Sequence, residues 1–246
     1  MGADPRDGGV ATPRYSYAFQ PIIDTVAGEI LSFEALIRGE RGEGAGHVFS
    51  QVSAETLAEF DRDSRAFAVG LAGRLGISCS LNLNAMPGSL RGDDGGLDAL
   101  VSAARQGGVP LDRLILEITE REAIVDYEQF AAVMDGYRAA GIKVAIDDMG
   151  AGYSGLNLLA DFQPDMLKLD MHLVRGIESR GPRQSIVRAL VMVCGDLGID
   201  VVAEGVETVD ELQWFESEGV RLFQGYLFGK PAFEHLVHLD EVLSVR

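Results

Sequence analysis

The sequence is poor in the residues that would tie it to an oxidising compartment, a membrane or a nucleic-acid backbone. Cysteine occurs twice in 246 residues. Cys79 falls in a strand-like run and Cys194 in a helix-like one. Two thiols are too few for a disulfide scaffold and fit buried residues in a reducing cytoplasm. No segment approaches the ~18 consecutive apolar residues of a membrane span, and "MGADPRDGGVATPR" carries no signal-peptide hydrophobic region. A cytoplasmic location is the expectation. Positive charge is scarce: 21 Lys and Arg stand against 38 Asp and Glu, a formal net charge of −17. That argues against a polymeric nucleic acid as partner, but not against a small nucleotide held through metal ions. Histidine occurs four times. His235 and His238 fit one helix face near the C-terminus, with no third ligand nearby, so they read as solvated helix residues rather than a metal site.

What is present is a soluble globular composition, 47% apolar and 24% charged, long enough for one large core. Residues 1–14, rich in Gly, Pro and charge, read as a flexible lead-in, and 15–246 as a single domain. No internal linker or low-complexity tract interrupts it; "PGSLRGDDGGLD" reads as a long loop. From residue 79 the chain repeats a short apolar strand, a polar turn and an amphipathic helix. The strands are "CSLNL", "RLILEI", "KVAID", "MLKLD", "DVVAE" and "VRLFQ". Helical spacing covers Tyr127–Ala140, Gln184–Leu197 and Asp210–Ser217, the last with Thr208 as N-cap. Upstream, "YSYAFQPII" and "EILSFEALIR" flank the hairpin turn "DTVAGE", and a helix spans about Ser53 to Leu75. Eight strands alternating with helices predict an α/β fold, a modified (β/α)8 TIM barrel with an irregular N-terminal β-hairpin. A doubly wound open sheet is the alternative.

Polar residues fall where the apolar runs end: Glu34, Asn82, Glu117, Asp147, Asp148, Lys168, Asp170, Glu204 and Gln224. In a barrel these ends converge on one face, where active sites are built. Five carboxylates, Glu34, Glu117, Asp147, Asp148 and Glu204, would then crowd together with only Lys168 to offset them. Repulsion at that density forces protonation or demands cations. Oxygen donors without Cys or His suit hard ions, Mg²⁺ or Mn²⁺, and five acids suit two ions sharing an aspartate. Taken singly, a charged strand end is more often a solvated loop residue or helix cap; the recurrence across strands carries the reading.

The stretch "VAIDDMGAGYSGL" contains a competing signal. "GAGYSG", Gly150 to Gly155, matches G-x-G-x-x-G after a strand, with Asp170 about twenty residues on, as a dinucleotide-binding fingerprint requires. Against it, Asp147 and Asp148 would face a pyrophosphate with no cation specified, and Glu34, Glu117 and Glu204 would have no purpose.

Taken together, "FQPI", "FEALIRG", "LNLNA", "LEITE", "DDMGAGYSGL", "LKLD", "AEGVET" and "QGYLFGKP" resemble, in order and spacing, the motifs of the EAL domain family, the bacterial cyclic di-GMP phosphodiesterases. The resemblance runs from about Tyr17 to Ala232. It implies a modified (β/α)8 barrel that hydrolyses one phosphodiester bond of cyclic di-GMP to give linear pGpG, using two divalent cations. It further implies that Glu34, Asn82, Glu117 and Asp147 hold one ion. Asp147, Asp148 and Glu204 would hold the second, with Lys168 and Gln224 placing the attacking water. Gln20, Leu36, Arg38, Asp170 and Glu207 sit where the family contacts substrate, and Glu120 where it steadies the "DDMGAG" loop. Met149, Ala151 and Gly155 depart from the family's usual Phe, Thr and Ser in that loop, which in the family links the second metal site to dimerisation and regulation. A homodimer, and a sensory or regulatory domain elsewhere, follow from the resemblance alone. A receptor that binds cyclic di-GMP without cutting it, and a nicotinamide-dependent dehydrogenase, are the alternative functions.

Overall fold

A computed structural model describes residues 13–90, 96–119, 127–150, 159 and 162–243. The predicted hairpin opens the fold. Tyr15–Asp24 (β1) runs antiparallel to Glu29–Gly39 (β2). Asp24 shapes the turn, its Oδ1 accepting from the backbone N–H groups of Val26 and Ala27, each at 2.9 Å, as short acidic side chains do in tight turns. Six strands follow: Ser80–Ala85 (β3), Leu114–Thr119 (β4), Lys143–Met149 (β5), Met166–Leu169 (β6), Asp200–Ala203 (β7) and Leu222–Phe223 (β8). From β2 to β8 each strand pairs in parallel with the next. β8 then closes antiparallel on Ile23 and Asp24 of β1. Closure gives the (β/α)8 barrel and removes the open-sheet alternative, which would keep two free edges. A short strand that the sequence pattern did not predict, Ala232–Phe233 (β9), extends β1 at Ala18 and Phe19.

The described helices are Ala45–Phe49 (α1), Leu57–Arg74 (α2), Leu97–Gly107 (α3), Tyr127–Ala139 (α4), Met171–Val174 (α5), Gly181–Leu197 (α6), Val209–Ser217 (α7) and Leu239–Leu243 (α8). Thr208 caps α7 as expected, in a full capping box with Glu211. α2 starts later than the apolar spacing suggested, because residues 53–56 form a turn closed by Thr56 N–H on the Ser53 carbonyl. Two expectations are corrected. The long loop ends in α3, whose Leu100 and Ala104 are buried; its glycine-rich approach masked the helical spacing. His235 and His238 lie on no helix; they belong to the irregular segment between β9 and α8.

Strand alternation divides the apolar residues into two sets. One set, including Leu83, Leu116, Ile146, Leu167 and Phe223, joins the large core shared with the helices. The other, Ile22, Ile115, Ala145, Met166, Val202 and Leu222, forms a separate cluster that fills the barrel interior.

The outer layer is tightest where α2 meets α3. A Cβ added at Gly73 would lie 2.3 Å from the Gly107 carbonyl oxygen, a backbone atom that cannot step aside. Gly73→Ala is therefore expected to destabilise the fold by about 2 kcal/mol, as overpacking does. In a domain of this size that is a fall of roughly 4–8 °C in a thermal melt; an unchanged melting temperature would show the helices free to separate.

Candidate active site

Two residues beyond the inner apolar layer, every parallel strand changes character. Ile115 leads to Glu117, Ala145 to Asp147, Met166 to Lys168, Val202 to Glu204 and Leu222 to Gln224. In β2 and β3 the same step runs from Ser32 to Glu34 and from Ser80 to Asn82. β1 points the other way, and stepping back from Ile22 reaches Gln20. A period of two keeps all of them on the inner face. Each barrel strand thus delivers one polar side chain to a single level, just above an apolar plug.

Lys168 is the hub of that level. Its side chain has no exposed surface, and Nζ lies 2.7 Å from Glu204 Oε1, 2.8 Å from Glu117 Oε1, 3.2 Å from Asp147 Oδ1 and 3.3 Å from Glu34 Oε2. Amides fill in between. Asn82 Nδ2 donates to Glu117 Oε1 at 2.7 Å. Gln224 Nε2 donates to Glu34 Oε2 at 2.7 Å and to Gln20 Oε1 at 3.2 Å. Gln20 Nε2 is anchored in turn on the Gly229 carbonyl at 3.0 Å.

One ammonium cannot satisfy four carboxylates equally, and their acidities separate accordingly. Burial alone would raise Glu34, but Lys168 and hydrogen bonds from Gln224 and Asn84 hold its carboxyl below the ordinary range. Burial pushes Glu117 up to about 8 despite Lys168, with Glu34 and Asp147 adding repulsion. Burial, with Asp147 close by, drives Glu204 far above the ordinary range. Lys168 is held well above its own ordinary value; its burial is outweighed by the acids around it, Asp147 foremost. The cluster carries more negative charge than its own cation can neutralise.

Asp148 belongs here through a local break in the strand. Neighbouring strand residues point to opposite faces, so Asp147 inside would put Asp148 outside. The β5–β6 register shifts between Ile146 and Met149, and Asp148 takes φ 59°, strained for a residue with a Cβ. The bulge re-aims the side chain, and both aspartates line the same cavity. Two groups of acids then have oxygens within 4.8 Å of one another: Glu34, Glu117 and Asp147; and Asp147, Asp148 and Glu204. Asp147 is common to both.

Two cavities meet above this centre, about 390 and 450 Å³ in volume, and Glu34, Leu36 and Asp147 border both. Arg38 lines the first, with one guanidinium nitrogen on the Ile37 carbonyl at 2.9 Å. Gln20, Asp170 and Glu207 line the second, with Glu204 and Gln224. Asp170 is also the N-cap of α5; its Oδ1 accepts from His172 N at 2.7 Å and lies 2.6 Å from His172 Nδ1. Burial opposes ionisation of Asp170, but these contacts and Asp148 hold its carboxyl below the ordinary range. Glu207 is paired with Arg175. Of the residues singled out in the sequence, Glu120, Ala151 and Gly155 lie outside the described residues, as does the "GAGYSG" run beyond Gly150. Met149 is buried at the end of β5, its carbonyl accepting from Asp170 N at 3.1 Å.

Several site residues escaped the sequence reading. Asn84 donates to Glu34 Oε1 at 2.8 Å, and Thr119 Oγ1 lies 3.4 Å from Asp148 Oδ2. Both stand two residues beyond a residue already singled out, Asn82 or Glu117, so strand alternation was the available signal. Arg175, Met171 and Tyr226 line the second cavity but sit in turns or, for Met171, in the single helical turn α5, too short for periodicity to mark them.

The residues present fit hard cations. The donors are all oxygen. Among the described residues, the buried Asn82 Oδ1 and Glu117 Oε2 have no hydrogen-bond partner, which is costly unless something charged engages them. Asn82 spends its amide N–H on Glu117, leaving its oxygen free to act as a ligand.

A closed barrel with an acid-rich, cation-demanding centre among its inner strand residues is thus the class that fold and site define. Residues 9–231 match the family model for the EAL domain, and the chain belongs to that family. It is 34% identical over 215 residues to the blue light- and temperature-regulated antirepressor BluF of Escherichia coli (strain K12), covering 87% of this chain and 53% of BluF. It is 30% identical over 241 residues to the cyclic di-GMP phosphodiesterase NbdA of Pseudomonas aeruginosa, covering 92% of this chain and 30% of NbdA. A solved manganese/cyclic di-GMP complex of BlrP1 from Klebsiella pneumoniae superposes with a TM-score of 0.85 at 42% identity, covering 90% of this chain and 59% of that one. The chain spans about half of BluF and less than a third of NbdA. Among the described residues, no helix is long and apolar enough to cross a membrane.

Removing the hub cation exposes the imbalance. Lys168→Met is expected to cost about 3–5 kcal/mol, as breaking a buried charge cluster does, and so to lower the melting temperature in chelator by roughly 10 °C. Added Mn²⁺ is expected to recover more stability in the variant than in the parent. Equal melts in chelator would show the acids neutralised by other means.

Proposed function

We propose that this chain is a phosphodiesterase domain that hydrolyses one phosphodiester bond of cyclic di-GMP to give linear pGpG. The observation that carries the reading is the pair of acidic groups sharing Asp147, packed around buried Lys168 at the junction of two cavities. Glu34, Asn82, Glu117 and Asp147 would hold one divalent cation, Mg²⁺ or Mn²⁺, and Asp147, Asp148 and Glu204 the second. When bound, such ions acidify a coordinated water and offset the charge of a phosphodiester. The manganese and cyclic di-GMP bound by BlrP1, and the activity for which NbdA is named, support this choice of metal and substrate.

The chain's own residues supply the rest. Lys168, locked by four carboxylates, is a fixed donor rather than a mobile one, suited to orienting a water or steadying a departing ribose oxygen. Gln224, tied to Glu34 and Gln20, is rigid in the same way. Among the described residues, Arg38 and Arg65 bring guanidinium groups to the first cavity, and the charge of Arg65 is taken by Asp61; the fork of Arg38 matches phosphate. Gln20, Leu36, Asp170 and Glu207 are the remaining substrate contacts. Residues 15–246 act as one catalytic domain, cytoplasmic and dimeric, under control from a domain elsewhere.

A second reading has one specific support: BluF, similar over most of the chain, is named an antirepressor rather than a hydrolase. The domain would then bind cyclic di-GMP and signal through a partner.

Purified protein incubated with cyclic di-GMP and Mg²⁺ or Mn²⁺ is expected to yield pGpG, identified by chromatography and mass. Binding without product under either metal would favour the receptor. Glu34→Ala is expected to reduce turnover at least about a hundredfold. Asn84→Ala, one step removed from the cation, is expected to lose about 10- to 100-fold. Wild-type rates in Glu34→Ala would refute its role.

A further inference from the structure

Glu211 lies in the first turn of α7, 3% exposed, and borders neither cavity. It completes the capping box with Thr208, for which a bond to Thr208 N would suffice. It does more. Oε2 accepts from Thr208 N at 3.1 Å and from Glu207 N at 2.9 Å, and Oε1 reaches out of its own helix to Gly176 N at 2.9 Å. One buried carboxylate therefore holds two backbone segments remote in sequence, 170–176 after β6 and 204–208 after β7. The same segments are joined where they begin: Glu204 N donates to the Leu169 carbonyl at 3.2 Å. Between the two ends, Arg175 pairs with Glu207, and Met171 lies against Gly205, where φ is 68° and a Cβ would come within 2.7 Å of the Met171 Cβ. The segments form a closed frame, and Glu211 is its far corner.

The near corner carries acids. Glu204 belongs to the second acidic group with Asp147 and Asp148, and the Asp170 side chain is hydrogen-bonded to Asp148. We propose that Glu211 is a positioning residue for that second group: it sets the spacing of Asp148 and Glu204, and with it their affinity for a divalent cation, without touching the ion. The proposal rests on the two-cation reading. Hard ions such as Mg²⁺ tolerate little error in where their oxygens lie, so ligands on loops need outer supports. A carboxylate accepting three backbone N–H groups is a stiff support. Alanine there would leave Gly176 N and Glu207 N without that acceptor and let the two segments part. The first group is held otherwise: Glu34, Asn82, Glu117 and Asp147 all stand within strands β2 to β5. The effect of Glu211 is thus confined to one ion of the two.

The test titrates Mn²⁺ by calorimetry, without substrate, into the metal-free full chain and into Glu211→Ala, Glu211→Gln and Thr208→Ala, and records each melt in chelator. The parent is expected to bind two Mn²⁺. Glu211→Ala is expected to bind one as the parent does and the other about tenfold more weakly, the lower end of the loss when a support of metal ligands is removed. Thr208→Ala removes the hydroxyl cap but leaves the carboxylate; its melting temperature is expected to fall roughly 2–4 °C, with both Mn²⁺ affinities within about twofold of the parent, below the loss of a ligand support. Glu211→Gln keeps one acceptor oxygen and is expected to lose about threefold on the same ion; it carries the test should Glu211→Ala fail to fold. Parent-like Mn²⁺ binding in both Glu211 variants overturns the proposal and leaves the two-cation reading standing. Equal losses in Thr208→Ala and Glu211→Ala overturn it as well, because a loosened helix start would then be responsible. A parent that binds fewer than two Mn²⁺ overturns the two-cation reading and the proposal together.

Discussion

An ammonium buried without any exposed surface lies within 3.3 Å of four carboxylates, contributed by β2, β4, β5 and the residue that follows β7. That contact sets the terms for the rest of the barrel mouth. A buried lysine is tolerated only when paired, and Lys168 is paired to excess. The excess is the useful part. Four acids around one cation, in a site with little water to screen them, cannot all stay ionised without a further counter-charge. The apolar layer beneath, from Ile22 to Leu222, keeps water from reaching the acids from below. Polar groups stay concentrated at one level instead of dispersing along the barrel axis.

Much of this was legible in the sequence, for a physical reason. Strands end where apolar runs end, and parallel strands of a barrel end on the same side. A list of the first polar residue after each apolar run is therefore a list of neighbours in space. Glu34, Asn82, Glu117, Asp147, Lys168, Glu204 and Gln224 were found that way, and the family resemblance sharpened it. Gln20 follows the opposite rule because β1 is reversed, and it emerged only through the resemblance. Residues in turns and in the four-residue α5 were not legible: Arg175, Met171 and Tyr226 reach the second cavity through α5 and the segments after α5 and β8, where no period links position to direction. The short elements were missed for a related reason. Two residues of β9 or five of α1 are too few to show a pattern.

Asp148 illustrates the limit most clearly. Two adjacent aspartates at a strand end read as a pair, but alternation should send them to opposite faces. Only the bulge, with its left-handed φ at a residue bearing a Cβ, brings both to one cavity. The conformation costs strain, and glycine at that position would relieve it. An aspartate kept there holds a carboxylate in the second acidic group at the expense of backbone comfort, which is the pattern of a residue retained for its side chain.

The same stretch of backbone reaches beyond the acids. Gly150, at φ 98°, leaves no room for a side chain: a Cβ there would meet Leu173 Cδ1 at 2.5 Å. Leu173 belongs to α5, a single turn that also carries Met171 and His172, starts from Asp170 and is followed by Arg175. Gly176 N–H, next along, donates to Glu211 Oε1 at 2.9 Å, and the other oxygen of Glu211 accepts from Glu207 N and Thr208 N. Gly150, the second cavity and the loop after β7 are therefore in contact through one short turn and one buried carboxylate. A displacement of Gly150 cannot be absorbed locally, because Leu173 has packed neighbours and α5 has no spare length. It must move Asp170 and Arg175, or be resisted by them. Coupling between the strained Asp148 and the second cavity is thus a consequence of packing.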